Sequence, residues 1–248
     1  MAAEVRARAN DENFVYIPDG TDHVFGVLTE PVGKPSGLGV LLLPGLVYVL
    51  STNRNRAFVN LARDLAGYGH RVLRIDYRGV GESTGVIGPY ALDDPNPADV
   101  VAAVECLAAG HQTDLVVVGS CFGARTAMHT LAEDARLRGM VLLAPPLGDE
   151  GLGELDDSGD VGALFLKHAE TLRARRIPTL FVYGTEDRSY RDLEVRRPFL
   201  EALFSEGSSL AMQVLPGESH GLTRVTIQQL FVRTTLDFIS ELTANQRS

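Results

Sequence analysis

Residues 115–118, Leu-Val-Val-Val, form an unbroken apolar run that stops at Gly119-Ser120-Cys121-Phe122-Gly123, and Ala124-Arg125-Thr126-Ala127-Met128 then reads as a helix. A strand buried on both faces followed at once by a helix leaves little freedom at the turn between them. The central residue must take a strained backbone geometry, and only small neighbours let strand and helix come close enough. Here that residue is Cys121, with a glycine two positions before it and another two positions after it. A side chain held there is thrust out of the top of a sheet, which makes the cysteine a candidate nucleophile. An ordinary buried cysteine is a small apolar filler, and that reading suits Cys106, at an apolar helix position.

Elsewhere strands and helix-periodic stretches alternate, which predicts an α/β protein with a mostly parallel central sheet and helices on both faces. Residues 13–17 and 23–29 predict an opening hairpin around Pro18-Asp19-Gly20. Residues 39–43 are a continuous apolar strand, as burial on both faces requires. In 54–66 the residues Phe58, Leu61, Ala62 and Leu65 recur at helical spacing. A strand over 70–76 and a helix near 97–109 precede the elbow, whose helix is expected over about 122–134. Further strands are expected at 140–144, 179–183 and 211–215, with helices over 161–176 and about 223–242. Residues 85–97 and 145–160 lack periodicity and are expected as loops.

The 248 residues, 45% hydrophobic, are expected to form one domain over 1–248. A net charge of −9 argues against a nucleic-acid partner, which calls for a basic face. Two cysteines make no disulfide framework and fit a reducing compartment. Residues 1–8 have no apolar core of the signal-peptide kind, and no run reaches the ~20 apolar residues of a membrane span. A cytoplasmic protein with no membrane partner is expected. No His/Cys/Asp cluster has metal-ligand spacing, and Gly79-Val80-Gly81 lacks the third glycine of a dinucleotide site, so neither metal nor cofactor is expected.

The strand–elbow–helix and the order of elements resemble the α/β-hydrolase family over nearly the full chain. In that family nucleophile, acid and histidine follow in that order. Asp187, in Tyr183-Gly184-Thr185-Glu186-Asp187, and His220, in Pro216-Gly217-Glu218-Ser219-His220-Gly221, each stand just past a strand. Carboxyl ends of parallel strands share one rim, so Cys121, Asp187 and His220 can meet there. Glu186 and Asp192 are the alternative acids. The other histidines, 23, 70, 111, 129 and 168, read as structural or exposed. The resemblance implies an oxyanion hole made by the backbone N–H groups of Phe122 and Leu46, the latter in Leu43-Pro44-Gly45-Leu46, where Pro44 stands in place of the family's histidine. It also implies that Asp76-Tyr77-Arg78-Gly79-Val80-Gly81-Glu82-Ser83 is a tight structural loop, and that any lid inserted at about 145–176 is short. Arg54, Arg56, Arg78 and Arg125 could bind a substrate carboxylate, but read first as solvated or structural groups; substrate-binding residues stay unassigned.

Gly-x-Cys-x-Gly on a cap-poor core of similar length resembles dienelactone hydrolases, while residues 70–83 resemble thioesterase and esterase members. The implied chemistry is acyl hydrolysis or acyl transfer through a thioester on Cys121, with His220 as base and Asp187 as its orienter. Esters, thioesters and lactones are the implied small-molecule acyl substrates. A thiolate at a helix N-terminus beside a histidine is expected to be available near neutral pH. Because a thioester also yields to amines, thiols and alcohols, the acceptor stays open. Two further readings stand beside this one. The first is a biosynthetic thioesterase or cyclase fed by an acyl carrier protein, and the second a non-catalytic ligand-binding protein on the same fold. The oligomeric state is left undetermined.

Overall fold

Six strands run parallel, in the order β4 (Arg71–Ile75), β3 (Leu38–Leu43), β5 (Asp114–Ser120), β6 (Leu137–Leu143), β7 (Thr179–Gly184) and β8 (Leu210–Leu215). A hairpin of β1 (Glu12–Asp19) and β2 (Asp22–Thr29) adds antiparallel to β4 and completes an eight-stranded sheet. The computed structural model describes residues 11–31, 33–45, 50–88, 91–92, 95, 97–109, 114–149, 161–205, 207–218 and 220–245. Every residue of β3 is buried, as its unbroken apolar sequence requires.

Helices α1 (Ala57–Gly67) and α6 (Val225–Asn245) touch each other on one face of the sheet, and α2 (Pro97–Ala108), α3 (Phe122–Leu131) and α4 (Ala163–Ala174) adjoin in series on the other. The expected stripe Phe58, Leu61, Ala62 and Leu65 is the buried face of α1. On α4, Phe165 meets the ring of Phe181 in β7 with centroids 6.0 Å apart, and Phe204 meets it from the side at 5.2 Å. That helix therefore packs on the core.

The chain leaves β3 through α1 to reach β4 on one side, then returns through α2 to β5 on the other. The direction of winding reverses between β3 and β5, and the crevice beyond their carboxyl ends is where ligands bind in such sheets. Pro44 and Gly45 follow β3 there, and Cys121 follows β5.

Four local readings change. The hairpin turn falls at Gly20-Thr21, because β1 runs on until Asp19 pairs with Asp22. Residues 54–56 form a 3-10 turn with Asn55 and Arg56 at positive φ, so the helix starts only at Ala57. The elbow helix ends at Leu131. Helix α5 (Arg188–Leu200) has no counterpart among the expected elements, since it is rich in arginine and holds Pro198. Of the segment expected as an insertion, 150–160 lie outside the described residues. Among the described residues no helix is long and apolar enough to cross a membrane.

Candidate active site

Cys121 has φ 51° and ψ −115°. A non-glycine residue in that region costs about 1–3 kcal/mol and persists only where its surroundings over-determine it. They do so here. The Cys121 N–H donates to the Leu143 carbonyl at 2.7 Å, continuing the β5–β6 ladder, while the Cys121 carbonyl accepts from the Ala124 N–H at 3.0 Å and opens α3. Both glycines of the motif are demanded by contact. A Cβ on Gly119 would stand 2.6 Å from the Ala124 Cα, and one on Gly123 would stand 2.3 Å from the Pro44 carbonyl oxygen. The ring of Phe122 meets that of Tyr77 edge-on with centroids 5.9 Å apart, which fixes the first turn of the helix.

Above the elbow lies a cleft of about 280 Å³ lined by Gly45, Ser120 and Cys121 from the strand ends, Asn53 and Arg54 from the loop before α1, and His220. Gly45 lies beside the elbow: a Cβ there would sit 3.6 Å from the Cys121 Cβ, an ordinary contact. His220 is exposed at the rim. Asp187 is 1% exposed and accepts two backbone hydrogen bonds, from the Gly184 N–H at 2.8 Å and from the His220 N–H at 3.0 Å. The carboxylate after β7 thus holds the histidine residue that follows β8. The alternative acids sit differently. Glu186 is exposed, and Asp192 is ion-paired with Arg196 one turn along α5.

The sulfur does not rest as the expected thiolate. Burial pushes the Cys121 thiol up to about 11, outweighing the Phe122 backbone N–H, which draws it down. A helix terminus and a nearby histidine favour charge, but taking a sulfur anion out of water costs more. The Phe122 N–H, expected as an oxyanion donor, here reaches the Cys121 sulfur. Leu46, expected as the second donor, lies outside the described residues.

The four arginines separate cleanly. Arg125, 2% exposed, donates to the carbonyls of Pro146 and Gly148 at 2.9 and 2.7 Å and pairs with Asp149 at 2.6 Å, so it braces the chain leaving β6. Arg78 is paired with Asp19, Asp22 and Asp99. Arg56 is exposed and acts on Glu12. Only Arg54 of the four lines the cleft.

Two further residues, Asn55 and Asp76, neither of them expected at the site, complete the surroundings. Asn55 donates its amide to the carbonyls of Leu222 and Thr223 at 3.0 and 3.4 Å, fastening the loop before α1 to the histidine loop. Asp76 accepts the Ser51 N–H at 2.6 Å, while its carbonyl accepts the Ser83 hydroxyl at 2.7 Å, so the loop expected to be structural also holds the start of the 50–56 segment. The signal available in sequence was Thr52-Asn53-Arg54-Asn55, since asparagine is the residue that best tolerates positive φ after glycine.

A larger groove of about 390 Å³ runs between α5 and β8, lined by Leu193, Leu200, Phe204, Met212 and Val214 among others, and among the described residues it holds no nucleophile. Among the described residues no group of three or more His, Cys, Asp or Glu is placed to hold a metal ion.

Residues 40–240 match the family model described as the alpha/beta hydrolase family. The chain belongs to that family. A relative from Rattus norvegicus, named as a candidate protein-lysine deacylase, ABHD14B, is 29% identical over 157 residues; the match takes in 62% of this chain and 64% of the relative's length. The chain thus spans less than two thirds of that relative. Among solved structures, an esterase of Pyrococcus furiosus superposes with a TM-score of 0.71 at 17% identity, over 94% of this chain and 92% of that one. Est1E of Butyrivibrio proteoclasticus, bound to ferulic acid, gives 0.69 at 20% identity over 93% and 99%. A dienelactone hydrolase of Anabaena variabilis gives 0.67 at 17% identity over 94% and 98%. Likeness at this level of identity establishes the α/β-hydrolase fold.

Proposed function

We propose that the protein cleaves or transfers acyl groups, with Cys121 as nucleophile, His220 as base and Asp187 as the group that holds the histidine. The observation that carries this reading is a cysteine at a strained elbow sharing one cleft with His220, whose residue is bonded to the buried Asp187 carboxylate. The names of the relative and of two of the fold neighbours, deacylase, esterase and dienelactone hydrolase, all denote acyl-group removal, which supports the same class.

With the thiol neutral at rest, His220 takes the proton as sulfur attacks the carbonyl carbon. The tetrahedral oxyanion is met by the Phe122 N–H and, in this proposal, by that of Leu46; a well-aimed donor contributes about 3 kcal/mol. Collapse breaks the bond to the leaving group, which departs with the proton from His220 and leaves a thioester on Cys121. Water or another acceptor then attacks, passing its proton through His220 to the sulfur. Esters, thioesters and lactones suit this sequence better than amides, whose leaving group is poorer.

Intact-protein mass after exposure to p-nitrophenyl acetate and to the acetyl thioester of N-acetylcysteamine tests it. A transient adduct of one acetyl group is expected, absent in Cys121→Ala. No adduct with any activated donor, or an adduct that survives Cys121→Ala, would refute the assignment. A non-catalytic protein would instead bind ligand stoichiometrically without turnover in either form.

A further inference from the structure

We infer that Asn53 and Arg54 form an oxyanion-recognition subsite in the Cys121 cleft, and that the substrate is a short acyl compound bearing a carboxylate. The inference rests on the proposed acyl chemistry and names its substrate class. Asn53 is 8% exposed and lines the cleft, yet among the described residues its amide nitrogen has no hydrogen-bond partner. Its other end is committed, since Oδ1 accepts the Arg54 N–H at 2.6 Å. With Oδ1 so committed, the NH₂ group is left as a buried donor in the cleft wall, and a buried donor without an acceptor is one that a ligand can satisfy. Arg54 is exposed, lines the same cleft, and makes none of the ion pairs among the described residues.

The surrounding backbone holds both groups in place. Asn53, Asn55 and Arg56 all have positive φ, and the Asn55 amide ties the segment to Leu222 and Thr223. Glu218 also lines the cleft, but its two oxygens accept the Gly221 N–H and the Thr223 hydroxyl, which keeps its carboxylate engaged within its own loop. A neutral amide donor beside one planar guanidinium matches a carboxylate, whose two oxygens a guanidinium can bind together. A phosphate would call for more positive charge, and among the described residues Arg54 is the one lysine or arginine in the cleft lining. A volume of about 280 Å³ between Cys121 and this pair suits a short chain.

The test compares kcat/KM for the glutaryl and pentanoyl thioesters of N-acetylcysteamine, and for 4-acetoxybenzoate against phenyl acetate, so that the carboxylate sits on the acyl side or on the leaving group. A preference of tenfold or more for the charged member of one pair is expected. It should fall toward unity in Arg54→Ala, invert in Arg54→Glu, and shrink severalfold in Asn53→Ala, while Arg56→Ala keeps it. Calorimetric titration with glutarate gives a readout free of turnover: binding lost in Arg54→Glu and not displaced by equimolar inorganic phosphate is expected. Equal rates for both pairs together with no glutarate binding would overturn the inference and leave the acyl chemistry standing. Phosphate binding more tightly than glutarate would overturn the carboxylate assignment. Glutarate binding that depends on Arg54, in a protein whose Cys121 no donor acylates, would support the subsite and sink the acyl reading.

Discussion

Alkylation of Cys121 by iodoacetamide should be slow at neutral pH and should accelerate steadily as pH rises. The thiol is pushed up to about 11 by burial, whereas a free cysteine titrates near 8.5. At pH 7 a free thiol is about 3% ionised, and the buried one about one part in ten thousand, a deficit of roughly 300-fold. The more basic thiolate is also the better nucleophile; a Brønsted slope of about 0.45 over the same interval returns roughly tenfold. The net expectation is labelling about twentyfold slower than that of a small-molecule thiol, and slower still because Cys121 is 2% exposed. The assay is intact mass against time in Cys106→Ala protein, which leaves one thiol, at intervals from pH 6 to pH 9. The rate should climb about tenfold per pH unit with no plateau. His220→Asn should abolish ester turnover yet leave this profile in place, because alkylation draws on thiolate formed by solvent and turnover draws on the histidine. A rate flat between pH 6 and 9 would show a thiolate–imidazolium pair at rest and defeat the reasoning.

Gly123→Ala forces a methyl against two backbone carbonyls, Pro44 and Leu43; neither can yield as a side chain would, and a loss of about 3 kcal/mol in urea denaturation is expected. Arg125→Met removes the partner of Asp149 and the donor to two carbonyls, so stability should fall by about 3 kcal/mol, with Arg125→Lys intermediate. His168, half-buried on α4 beside the ring of His129, is lowered to about 4 by desolvation first and by that neighbour second. The unfolded chain binds a proton there below pH ~6.5 and the folded one does not until about 4, so this residue lowers stability as pH falls through that window and adds nothing above it. In thermal melts between pH 7 and 4, His168→Asn should flatten the decline.

The elbow was legible because everything that makes it is local: four branched or long aliphatic residues, two glycines and a helix start lie within fourteen positions, 115–128. Asp187 and His220 were singled out by their places after strands, and the bond from the His220 N–H to the Asp187 carboxylate shows that those two loops meet. What escaped has a tertiary cause. Helix α5 buries Leu193, Arg196 and Leu200 on a face too thin to read as amphipathic, and its position between β7 and β8 makes it helical more than its pattern does. Asn53 matters because the fold buries it with one end bonded and the other open, which no spacing announces. The state of the sulfur escaped for a similar reason, since helix polarity is visible in sequence and depth of burial is not.

His220 follows β8, and β8 is one of the two edge strands of the sheet, paired on one side only and exposed along much of its length. Outer strands open at lower free energy than the strands they flank. Cys121, by contrast, follows β5, which is paired on both sides at the centre. Mild heat or denaturant should therefore separate His220, the proposed base, from Cys121, the proposed nucleophile, by fraying one border of the sheet while its interior stays intact. Turnover would fail before circular dichroism registers any change, and the protein's working lifetime would be that of its weakest border.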